Sequence, residues 1–207
     1  MKRIIYLFCF FFIALTVSAQ DKLYANYEDM IADRGDVATT IAKIKRKINQ
    51  IYLSGGADYE IYSTSNKEMT KYLKKRCYAV KLNDTLYVNC RRLKYKKYRF
   101  GNWYSVGEVV KGNVFFRAQP LGQIATSTLL PKEHSKLGGS VGDAINASGL
   151  VSDRVYYMIN PETGNADFVG KEKMTELLKD YPNLLEDFSK EESESADVIG
   201  KYLSMIK

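Results

Sequence analysis

Between Arg91 and Tyr104, six cationic side chains (Arg91, Arg92, Lys94, Lys96, Lys97 and Arg99) alternate with Tyr95, Tyr98, Phe100, Trp103 and Tyr104, with no acid before Tyr104. Guanidinium and ammonium groups attract polyanions, and aromatic faces stack on sugar rings or bases. This spacing offers binding chemistry, with the six bases and Tyr95, Tyr98 and Trp103 as contact residues. A sheet edge or hairpin loop is the competing explanation: there Lys and Arg block strand addition while the aromatics face the core.

Catalytic chemistry is poorly supplied. The one histidine, His134, lies in the polar stretch Pro131-Lys-Glu-His-Ser135. Neither Ser135 nor Ser140 sits in a GxSxG elbow. Gly138-Gly-Ser-Val-Gly142 lacks the Gly-Lys-Ser/Thr ending of a phosphate-binding loop. A zinc site would need several His and Cys ligands, which the chain cannot provide if its cysteines are paired. No cofactor or metal is therefore expected. Paired carboxylates keep a hydrolase open as the enzymatic alternative, since Asp and Glu are abundant. The expectation is a non-enzymatic protein.

Cys77 and Cys90 flank the β-prone runs Tyr78–Leu82 and Thr85–Asn89 around Asn83-Asp84, a two-residue hairpin turn. With that turn the cysteines lie directly opposite, at a non-hydrogen-bonded position where side chains approach closely. A disulfide there would stabilise by roughly 3 kcal/mol. A redox dithiol would more commonly show a CxxC spacing and a lowered thiol pKa.

The compartment that would favour such a bond is written at the N-terminus. Lys2 and Arg3 precede an uncharged apolar run from Ile4 to Val17, and Val17-Ser18-Ala19 supplies small residues at a cleavage site. Residues 1–19 are expected to be a signal peptide. The run is short of the roughly 20 residues needed to span a bilayer, so no transmembrane anchor should remain after cleavage. Export to the periplasm, the outer membrane or the exterior follows as the expected localisation. An anionic glycan, lipopolysaccharide or an envelope protein would be the partner of the basic-aromatic run, with nucleic acid the poorer fit. The formal charge of +7 falls by two with the leader. What remains has a basic middle and, after Glu172, an acidic end, and these two could attract one another.

The elements that must position these groups alternate along the chain. Residues 36–53 fit helix and strand equally, because Ile41, Ile44, Ile48 and Ile51 recur at helical spacing among β-branched neighbours. Tyr59–Ser63 alternates as a strand, and Ser65 or Asn66 can cap a helix through Lys75. Strands at 103–110 and 114–118 flank Lys111-Gly112-Asn113. A glycine-rich connector lies near 135–150, and strands near 155–160 and 165–169 flank Pro161–Gly164. Helices at 171–179, 182–188 and 191–205 make a helical tail over 171–207. The expected architecture is a single α+β domain over 20–207: antiparallel β-hairpins forming a sheet, packed by short helices, with a helical C-terminal segment.

The segments CYAVKLNDTLYVNC, GGSVGDAI and VYYMINPETGNADFVGKEKMTELLKDYPNLLEDFSKE, with Gln20 just after the cleavage point, resemble an uncharacterised exported family from gut Bacteroidota. The resemblance covers roughly residues 57–207. It implies an exported protein of this architecture and transfers no catalytic residue. A structural or assembly subunit of an envelope complex is the third reading.

Overall fold

The computed structural model describes residues 20–38, 40–122 and 153–207. The leader, His134, Ser135, Ser140 and the glycine-rich connector lie outside them. The fold is α+β. Strands β1 (Lys22–Tyr24), β2 (Asp36–Val37), β3 (Ile41–Lys45), β4 (Tyr59–Ser63), β5 (Ala79–Leu82), β6 (Thr85–Asn89), β9 (Tyr104–Val110), β10 (Asn113–Ala118), β11 (Val155–Ile159) and β12 (Ala166–Phe168) form one antiparallel sheet. Its main path runs β12-β11-β10-β9-β6-β5-β1-β2, while β4 joins β9 at Tyr59–Tyr104 and carries β3 on its other side. Two further strands, β7 (Lys94–Tyr95) and β8 (Tyr98–Arg99), form a separate small hairpin.

Strand alternation divides the core in two along this sheet. Ala79, Val88, Val114, Phe116, Val155 and Tyr157 share one face, covered by Met30 of α1 (Tyr27–Ile31) and by Leu93 and Phe100 beside the small hairpin. On the other face, Phe115 and Tyr156 pack under α4 (Lys171–Leu177), α5 (Pro182–Ser189) and α6 (Ala196–Met205) through Met174, Phe188, Ile199 and Leu203. Val80, Leu82 and Tyr87 meet Ile61 of β4 and Leu73 of α3 (Lys67–Lys75). Among the described residues no helix is long and apolar enough to cross a membrane.

Residues 36–53 resolve into both expected forms: β2 and β3, then α2 (Ile48–Ser54). Asn66 caps α3, its side chain accepting from the backbone N–H groups of Glu68 and Met69. The Asn83-Asp84 turn has both residues at positive φ, +47° and +61°, and pairs Leu82 with Thr85 as expected of a two-residue hairpin.

The expected Cys77–Cys90 bridge is not formed; both are free, buried thiols. The register is the anticipated one, since Ala79 opposes Val88. Just beyond that pair each chain turns away. The Cys77 N–H donates to Tyr72 O at the end of α3, while Cys90 opens a 3₁₀ turn (Cys90–Arg92) and its N–H donates to Trp103 O. Cys77 thereby joins the cluster of Val80, Tyr87 and Leu73, and Cys90 that of Val88 and Phe100, on opposite faces of the β5–β6 ladder. Burial pushes the Cys77 thiol up to about 11 and that of Cys90 up to about 12, opposite to what a redox dithiol requires.

Candidate functional site

The basic run is lifted off the sheet by two anchors. Leu93 and Phe100 are buried on either side of the β7–β8 hairpin, and Phe100 sits edge-on to Phe116 (5.1 Å) and Tyr157 (4.7 Å). Between them Lys96, at φ +52°, turns the chain. Arg91, Arg92, Lys96, Lys97 and Arg99 are exposed and Lys94 half-buried. Among the described residues none of the six forms an ion pair with an acid. Lys96 and Lys97 instead lie over the rings of Tyr95 and Tyr98, at 5.3 and 5.5 Å.

The aromatic residues divide. Phe100 and Tyr104 are core residues, and Tyr95 is half-buried against Tyr157 at 5.6 Å. Tyr98, 38% exposed, and the half-buried Trp103 remain at the surface. The structure thus brings all six bases together but offers fewer free aromatic faces than the spacing suggested.

Trp103 is held in an unusual way. Its backbone adopts φ +82°, a region that costs a non-glycine residue of the order of 1–3 kcal/mol. Gly56, at φ +87°, sits against it: a Cβ there would lie 2.5 Å from Asn102 O. The Arg46 guanidinium lies 5.8 Å from the Trp103 ring centre and the Lys74 ammonium 4.8 Å. Arg46 is itself buried, donating to Gly55 O and Ala57 O (both 2.8 Å), Gln50 O (3.3 Å) and Ser54 Oγ (2.6 Å). Burial holds its pKa below the ordinary value. Arg46 is therefore committed to the 50–57 segment, whereas the Arg91 guanidinium reaches only the exposed Asn102 Oδ1, at 2.8 Å.

The basic middle and the acidic end do not pair. Phe116 and Tyr157 carry the hairpin on one face, while Phe115 and Tyr156 carry the C-terminal helices on the other. Acids of those helices pair within the same region: Glu176 with Lys173 (2.8 Å), Glu186 with Lys190 (2.8 Å) and Glu191 with Lys201 (2.9 Å).

A concavity of about 450 Å³ opens where β9 runs past the end of β6, with Tyr24, Asp33, Lys81, Glu108 and Lys207 among its lining residues. Both carboxylate oxygens of Asp33 are engaged there, on a side chain that is half exposed. Its Oδ1 accepts from Tyr24 Oη, and its Oδ2 from Lys22 Nζ at 2.8 Å with Lys81 Nζ at 3.8 Å. The hydrogen bonds from Lys22 and Tyr24 hold its carboxyl below the usual range. Glu108 lies 3.7 Å from Lys207. An Asp33 so committed makes a poor general acid or nucleophile. Among the described residues no group of three or more His, Cys, Asp or Glu could hold a metal ion.

The chain belongs to a family of unknown function, DUF6563, whose model matches residues 22–207. No curated protein and no solved structure matches it.

Proposed function

We propose that this chain is an exported, non-enzymatic module that captures an anionic component of the envelope through the β7–β8 hairpin and the adjoining 3₁₀ turn. Export rests on the apolar run of residues 4–17 and the small residues at Val17-Ser18-Ala19. The observation that carries the binding role is the set of six basic side chains gathered on the β7–β8 hairpin and the adjoining 3₁₀ turn, with no acidic partner among the described residues. On the C-terminal helices Lys173 and Lys201 are neutralised by Glu176 and Glu191, whereas like charges left together are repulsive until a counter-charge arrives.

Replacing Arg91, Arg92, Lys96 and Lys97 with Ser tests this reading. These side chains are exposed, so the fold should survive. Retention on immobilised heparin at low salt should drop sharply, while elution at the parent's salt concentration would refute the role.

One observation favours the assembly reading as an alternative. Val37, Ile44, Ile48 and Leu53 are large apolar residues more than half exposed, all on β2, β3 and α2. Ile48→Glu with Leu53→Glu would then abolish self-association or partner capture seen by light scattering; a parent that is monomeric and unaltered by the change speaks against it.

A further inference from the structure

The basic surface does not end at Arg91. Lys74, Lys75 and Arg76 close α3, far from the hairpin in sequence, and Lys75 and Arg76 are exposed. One buried side chain joins the two regions. Asn89 Nδ2 donates to Leu73 O (3.1 Å) and Cys77 O (2.9 Å), the carbonyls on either side of the basic triplet. The Oδ1 of the same residue accepts from the Arg91 N–H at 3.1 Å and so caps the turn that presents Arg91 and Arg92. Tyr104 Oη adds a bond to Leu73 O at 2.7 Å. At the surface Lys74 rests over Trp103, whose neighbour Asn102 accepts from Arg91.

Two basic clusters from different elements are therefore tied together at one end of the β5–β6 ladder, where the end of α3 meets the 3₁₀ turn. Among the described residues none of Lys74, Lys75 and Arg76 pairs with an acid either. Building on the capture role assigned to the hairpin, we propose that the end of α3 and the hairpin form one continuous face for a linear anionic polysaccharide long enough to bridge both clusters. The aromatic geometry selects this class. Single-stranded nucleic acid binds through open rings on which bases stack. Here Phe100 and Tyr104 face inward, Tyr95 is half-buried, and Lys74 and Arg46 lie over Trp103. A membrane surface would call for apolar side chains beside the bases. Among the described residues, the large exposed apolar ones other than Tyr98 sit on β2, β3, α2 and α6. Charge repeated along a sugar chain needs neither.

The test uses the chain from Gln20 onward, with Lys75→Ser/Arg76→Ser and the four-fold hairpin variant in parallel, and heparin oligosaccharides as probes. The parent should bind a dodecasaccharide more tightly than a tetrasaccharide. Loss of Lys75 and Arg76 should remove most of that preference and lower the slope of log affinity against log salt by roughly two. An unchanged length preference and slope in that variant, with binding lost in the hairpin variant, would overturn the shared face and leave the hairpin role standing. Undiminished binding by the hairpin variant would overturn the capture role itself. Stronger binding of single-stranded DNA, an acidic polypeptide or anionic vesicles than of heparin would overturn the ligand class.

Discussion

Asn89 holds more of this molecule together than its size suggests. It satisfies two backbone carbonyls and one N–H at the point where α3, β6 and the 3₁₀ turn converge. Asn89→Ala would take the side-chain partner from Cys77 O and from the Arg91 N–H, while Leu73 O keeps its bond from Tyr104 Oη, and should cost about 1–3 kcal/mol, measurable by urea denaturation. The two cysteines give a second prediction at this scale. With both thiols buried and their pKa values raised, a chain beginning at Gln20 should show no rapid reaction with a disulfide reagent in the native state. Two thiols should appear on unfolding; none after unfolding would mean that they are bridged. Their opposition could be reasoned from the hairpin register, and that register is correct. What alternation could not reveal is that Cys77 has already left the strand to close α3, because the decisive bonds come from Tyr72 and Asn89.

The hairpins were the most legible elements. Asn83-Asp84 and Lys111-Gly112 announce tight turns between β-prone runs, and both residues of each adopt positive φ. Since Asp84 tolerates that region less readily than glycine, Asp84→Gly should stabilise the protein by up to about 1 kcal/mol. A lower urea midpoint would show that the Asp84 side chain has a role of its own. Residues 36–53 resisted assignment because strand and helix each occupy only a few residues there, too few for either period to dominate. The β1 strand and α1 leave no periodic signal for the same reason, at three and five residues. For the β7–β8 hairpin, sequence showed the alternation of bases and rings but not which rings turn inward. That depends on Phe116 and Tyr157, contributed by strands distant in the chain.

Across the whole molecule, the sheet separates a basic hairpin from acidic helices, and its ionisable groups bound the pH range of stability. Asp33 has a depressed folded-state pKa, so its contribution is present above the unfolded value of about 4 and is lost as pH falls through the folded one. Asp33→Asn should flatten the acid limb of the stability profile. At the other extreme Tyr24, Tyr78, Tyr104 and Tyr157 are held protonated, chiefly by burial. A raised folded-state pKa gives stability that is complete below the unfolded value of about 10 and declines as pH rises beyond it. Absorbance titration should therefore find tyrosines that ionise only as the protein unfolds; smooth titration of all of them in the folded state would contradict this. One last feature concerns how the end of β10 is fastened to the start of β11. Ala118 opposes Val155, Tyr157 Oη bonds to both Gln119 O and the Leu121 N–H, and Arg154 Nε donates to Asp58 at 2.8 Å. The two segments are thus fastened at one spot by contacts that do not depend on covalent continuity. Split after residue 122, the polypeptide should behave as two complementary fragments, 20–122 and 123–207, that reassemble when expressed together and copurify through a tag on either one.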